Sequence, residues 1–131
     1  MIISQKNVLF AIIYLLMDIS WIGLMSTLFY QRKIKDVQET SMVFKWLPAV
    51  LAYITLIITM FFICIPLSKY YENKYPSWLV FGIIGFCIYG VYNFTNGSIF
   101  IRYDWSFILV DTMWGVLSFS VLGYISKILK I

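Results

Sequence analysis

The chain has 131 residues, of which 62% are hydrophobic and 12% are charged, with a formal net charge of +4. Soluble domains carry roughly 45–50% apolar and about 25% charged residues. So few charges cannot coat so apolar a chain in water, which excludes an ordinary soluble globular domain.

A helix that crosses a bilayer needs about 20 mostly apolar residues. The first stretch that qualifies runs from Val8 to Phe29. It follows Lys6, as the core of a signal peptide would. However, it is too long for one, is interrupted by Asp18 and has no small-residue cleavage pattern, so it reads as a mature helix. A central Asp costs roughly 2.5–3.5 kcal/mol, and each Leu, Ile, Phe or Val returns about 0.3–0.6. The apolar residues around Asp18 are enough to offset it.

The second span runs from Trp46 to Leu67, the third from Trp78 to Ile101 and the fourth from Ser106 to Ile128. Tyr30–Lys45 and Ser68–Ser77 read as loops. The link Arg102–Trp105 is so short that spans three and four must form an antiparallel hairpin. Tyr30, Trp46, Tyr70, Tyr71, Tyr75, Trp78, Tyr103 and Trp105 fall near the proposed ends, where interfacial aromatics belong. The reading is all-α: a single domain over residues 1–131, an integral membrane bundle of four transmembrane helices.

Four spans put both termini on one side, with Lys6, Lys69, Lys74, Lys127 and Lys130. The other side holds Arg32, Lys33, Lys35, Lys45 and Arg102. Five cations against five give the positive-inside rule nothing to decide. The working orientation places both termini in the cytoplasm. These cations flank apolar stretches and form no basic stripe with interleaved aromatics, so they do not describe a nucleic-acid surface.

Each span carries polar residues at helical spacing. Span one has Tyr14, Asp18, Trp21 and Met25; span three has Tyr89, Tyr92, Asn93 and Asn96; span four has Asp111, Trp114, Gly115 and Ser118. Span two has only Thr55 and Thr59. Lipid cannot satisfy such groups, so the stripes should turn inward. Asn96 and Asp111 lie about six residues from the 102–105 link, roughly 9 Å deep, and Asp18 and Trp21 lie roughly 13–18 Å from the end of span one. A single cluster of Asp18, Trp21, Tyr89, Tyr92, Asn93, Asn96, Asp111 and Trp114 is therefore expected, between the midplane and the side opposite the termini. "MDISWIG" and "VDTMWG" both place Asp and Trp at i, i+3 on one helix face, where the indole N–H can donate to the carboxylate. The patterns Asn93-Phe94-Thr95 and Asn96-Gly97-Ser98 match glycosylation acceptors but fall inside span three, out of reach of sugar transfer.

Several chemistries find no support. The chain has no histidine. Cys64 and Cys87 stand alone in separate spans, and no spacing suits a metal, so neither a metal nor a cofactor is expected. No phosphate-binding glycine loop occurs. Gly82, Gly85, Gly90, Gly97 and Gly115 read as points of close helix approach.

The motifs Asp18-x-x-Trp21-x-Gly23, Ala52-Tyr53, Pro66, Gly82-x-x-Gly85, Tyr89-x-x-Tyr92-Asn93-x-Thr95-Asn96 and Asp111-x-x-Trp114-Gly115 cover nearly the whole chain. It resembles a family of small uncharacterised predicted membrane proteins, a domain of unknown function found in bacteria and large DNA viruses. The resemblance implies a four-helix membrane fold and supplies no activity. The family carries an acid where this chain has Asn93, which departs from that pattern.

Three functional readings follow. The first is a small transporter or ion/proton pathway, oligomeric, with Asp18 taking a small cation or proton. The second is a non-enzymatic structural or accessory membrane protein: a scaffold, a virion-membrane component or a member of a larger membrane complex. The third and least favoured is a membrane enzyme in which Asp18 and Asp111 share a proton. No residue is assigned as catalytic.

Overall fold

The computed structural model describes residues 4–131 and contains four long helices: α1 (Gln5–Gln38), α2 (Trp46–Tyr70), α3 (Ser77–Ile99) and α4 (Trp105–Leu129). Each is long and apolar enough to cross a membrane. The fold is all-α, and the chain is an integral multi-pass membrane protein. Local chemistry sets the helix starts. The Ser4 hydroxyl accepts from the Asn7 N–H at the head of α1, and Asp104 accepts from the Phe107 N–H at the head of α4.

The expected loop after Phe29 is instead helix as far as Gln38. Ile34 and Val37, at i and i+3, pack on the cluster of Tyr103, Phe107 and Ile108. That contact carries the apolar stripe of α1 beyond the bilayer. With 34 residues the helix is roughly 51 Å long, against a hydrocarbon core of about 30 Å. It stops at Glu39, which adopts a left-handed conformation with φ 61°.

Two helices contain a π turn, at Ser26–Tyr30 in α1 and at Met60–Cys64 in α2. The second precedes Pro66, which lacks an N–H and crowds the carbonyl one turn back; the Ile65 N–H bonds instead to the Met60 oxygen, five residues back. From this turn onward α2 packs inward and buries Met60, Cys64, Ile65 and Ser68. Before it, Trp46–Thr59 buries no residue.

Helices α3 and α4 form the tightest pair, as the short link requires. A methyl group on Gly85 would strike the Gly115 carbonyl, and one on Gly115 would strike the Tyr89 ring. Gly82 likewise admits Ser120, and Gly97 admits Ile108. Gly90 is different: its neighbours are Phe86 and Phe94 of its own helix, so it is not a point of close approach. Phe10 and Tyr14 of α1, Met60, Cys64 and Ile65 of α2, Phe81 of α3, and Phe119 and Leu122 of α4 make the core near the termini.

Candidate functional site

Two aspartates organise the middle of the bundle. Asp18 on α1 is 4% exposed. Its Oδ1 accepts from the Trp114 indole N–H of α4 at 2.8 Å, and its Oδ2 accepts from the Tyr53 hydroxyl of α2 at 2.9 Å. Asp111 on α4 is half-buried. Its Oδ1 accepts from the Tyr30 hydroxyl of α1 at 2.9 Å, and its Oδ2 accepts from the Asn93 amide of α3 at 2.7 Å. Each carboxyl group therefore binds two other helices, and together they bind all four.

The motif echo takes a form different from the one expected. Neither Asp pairs with the Trp of its own helix. Asp18 bonds the Trp of α4, and Trp21 of α1 donates at 3.2 Å to Tyr30, which donates in turn to Asp111. The Trp21 and Trp114 rings stack at 4.2 Å, 2° from parallel, and join the two halves. The π turn makes this possible. Tyr30 is nine residues after Trp21, which on a regular α-helix is the opposite face. A π turn adds about one residue, roughly 100° of rotation, and brings Tyr30 back towards Trp21.

Asn93 is fully buried and fully bonded. Besides Asp111, its amide donates to the Tyr89 carbonyl at 2.8 Å, and its Oδ1 accepts from the Tyr103 hydroxyl at 2.5 Å. The Tyr89 ring packs edge-on to Phe119 at 6.3 Å, beneath Gly115. The Tyr14 hydroxyl, one turn before Asp18 on the same face, is buried and has no hydrogen-bond partner among the described residues, and the same holds for the Thr112 hydroxyl.

Asp18, Trp21, Asn93, Asp111 and Trp114 thus come together, and Tyr89 touches the cluster through its carbonyl. Tyr92 does not belong to it: it is 60% exposed and faces the membrane. Tyr92 is turned 100° from Asn93 around the helix, outside the narrow face that α4 covers. Asn96 is half-buried and carries no side-chain bond to either aspartate. Thr55 and Thr59 spend their hydroxyl protons on the carbonyls of Leu51 and Thr55, so α2 joins the cluster through Tyr53 instead. Tyr30, Tyr53 and Tyr103 are the members that sequence reasoning missed. Two of them looked like interfacial aromatics, and the third carried no signal beyond its place beside Ala52.

Outside the bilayer, the Lys33 ammonium reaches Asp104 across the loop side. With help from Ser106 and the Phe107 N–H, it holds the Asp104 carboxyl well below the usual carboxylate range, at about 2. Arg102 pairs with Glu39 at 3.0 Å on the same side.

Among curated proteins and solved structures, none matches the chain. The family model described as "Predicted membrane protein (DUF2177)" matches residues 4–128, and with a four-helix membrane fold to go with it, the chain belongs to that family.

Proposed function

We propose that the chain works as a non-enzymatic structural or accessory membrane protein, and that its buried polar cluster locks the four helices into one arrangement. One observation carries this reading: all four oxygens of Asp18 and Asp111 accept hydrogen bonds from other helices. These bonds join each carboxyl group to different partners and do not join the two to each other. In a bilayer the helices gain little from hydrophobic burial against one another, so polar bonds and close packing decide their arrangement.

A second reading, passage of a proton or small cation through Asp18, draws on the Tyr14 hydroxyl. It is buried one turn away without a hydrogen-bond partner among the described residues, and its ring packs edge-on to Tyr53 at 6.2 Å.

Asp18→Asn separates the two. The amide keeps an oxygen for Trp114, and the Tyr53 hydroxyl can turn to accept from the new N–H. A lock therefore tolerates the change and a proton site does not. The lock reading expects Asp18→Asn to stay within about 1 kcal/mol of the native unfolding free energy and Asp18→Ala to lose more. It also expects proteoliposomes of either protein to show no proton or cation flux above empty vesicles. Flux in the native protein that disappears in Asp18→Asn would overturn it in favour of transport.

A further inference from the structure

A cavity of about 460 Å³ opens on the side of the termini, where the ends of α2 and α4 meet the start of α3. Its walls include Lys69, Lys127 and Lys130, with Ser68, Ser77 and Ser126. Ser68 and Ser126, 5% and 3% exposed, lie at its inner edge, and their hydroxyls donate to the Ile65 and Gly123 carbonyls of their own helices. We infer that this cavity is a binding site for a phosphate-bearing anion, supplied by the headgroup of an anionic membrane lipid.

The charge is the first argument. The wall holds three lysines and one acidic side chain, Glu72, with Ile131 beside them, and none of the three lysines has a carboxylate within ion-pair distance among the described residues. The two ion pairs among the described residues are both on the opposite side, where Lys33 and Arg102 are neutralised. Lysine at a helix C-terminus also complements the helix dipole. That alone explains neither a cavity between them nor Lys130. Lys130 holds a left-handed backbone, φ 54°, where glycine is the default.

The second argument is how the cavity is built. α3 begins at Ser77 with no side-chain cap, and the Leu79 and Val80 N–H groups bond back to the Pro76 carbonyl. The N–H groups of Ser77 and Trp78 come before any intrahelical acceptor and favour an anion. α4 is pressed onto this turn at Gly123, where a Cβ would meet the Ser77 carbonyl and the Trp78 Cα. Lys127, one turn further on, lines the cavity together with Ser77.

The third argument is depth. Tyr71 and Tyr75 pack ring to ring at 5.9 Å next to the cavity, and Trp78 follows. Such aromatics sit at headgroup level. A volume of 460 Å³ is also far larger than a lone inorganic ion needs.

The test uses the full chain in nanodiscs, with lipid retention read by native mass spectrometry after exchange between phosphatidylglycerol and phosphatidylcholine. Phosphatidylglycerol is expected to be retained preferentially. Lys69→Gln/Lys127→Gln/Lys130→Gln should weaken that retention roughly 100-fold at low salt, about fivefold per lysine. Lys6→Gln/Lys74→Gln, on the same side but outside the cavity, should leave it unchanged. Lys127→Arg keeps the charge and should keep the lipid, which separates loss of the site from loss of the fold. Millimolar inorganic phosphate distinguishes the two sources of the anion. Failure to displace the lipid supports the headgroup, and displacement supports phosphate as the recognised group in free form. Equal retention of both lipids by the native protein would overturn the inference, as would equal weakening by the two lysine variants.

Discussion

Tyr53→Phe removes one oxygen atom and tests how α2 is held. The N-terminal half of α2 buries no residue, and its hydroxyl contact with Asp18 at 2.9 Å is the polar tie between that half and α1. Phenylalanine keeps the ring against Tyr14 and leaves Asp18 Oδ2 without its donor in a site 4% exposed. Interhelical polar bonds in membranes average about 0.6 kcal/mol and reach about 1.7. Bonds to charged groups in soluble proteins are worth about 1.5–3. A loss of about 1–2 kcal/mol is expected, which raises the population with α2 detached about tenfold, since 1.4 kcal/mol is tenfold in an equilibrium. Two measurements check this. Unfolding in mixed micelles gives the free energy. Spin labels at Gly23→Cys and Leu47→Cys, both exposed, in a Cys87→Ala background, give the α1–α2 distance distribution, which should broaden. A distribution and an unfolding free energy indistinguishable from the native protein would refute the view that Asp18 holds α2.

Three further outcomes are expected. Gly85→Ala and Gly115→Ala should each destabilise the bundle by about 1–3 kcal/mol in the same unfolding assay, because the added methyl meets a carbonyl or a packed ring and the helices must separate. The parallel indoles of Trp21 and Trp114 should give an exciton couplet in circular dichroism; Trp21→Phe and Trp114→Phe should each abolish it, while Trp46→Phe should not. The Lys33–Asp104 pair should make a small contribution to stability that depends on pH. The folded carboxyl titrates at about 2, below its unfolded value of about 3.9, so the contribution is complete above about pH 4 and is lost as the pH falls towards 2. Half the Asp104 side chain is exposed, so after solvent screening the effect should stay under about 1 kcal/mol and shrink further in high salt. A melting temperature that does not change across that window would contradict it.

The four helices were legible because apolar runs of membrane length can form little else. The two aspartates were legible because a carboxyl group in lipid must find donors. Their partners were harder to read. Tyr30 sits where an interfacial tyrosine belongs, and only the change in helical pitch at Ser26–Tyr30 sends its hydroxyl inward. Tyr103 likewise looked like a boundary marker, yet the turn after α3 folds it back onto Asn93. Tyr92 failed for the opposite reason. Spacing put it near Asn93, but α4 contacts so narrow a strip of α3 that 100° of rotation is enough to face lipid. Tyr53 could not be singled out among the other residues of α2, because its role depends on Asp18 lying opposite.

The echo between the two D-x-x-W motifs acquires its meaning from the interposed tyrosine. If the motifs exchanged partners symmetrically, each Asp would bond the other helix's Trp and either indole could be lost at equal cost. Instead Trp114 donates directly to Asp18, whereas Trp21 donates to Tyr30, which keeps its own bond to Asp111. Removing the Trp114 indole strips a carboxylate that is almost fully buried of one of its two donors. Removing the Trp21 indole leaves both oxygens of Asp111 occupied and forfeits the stack and one bond to a neutral hydroxyl. The π turn is what breaks the symmetry, because it adds a second donor from α1 to the α4 side. The arrangement therefore places the heavier structural demand on Asp18 and Trp114. Those two residues join α1 to α4 at the depth where no water is at hand to replace them.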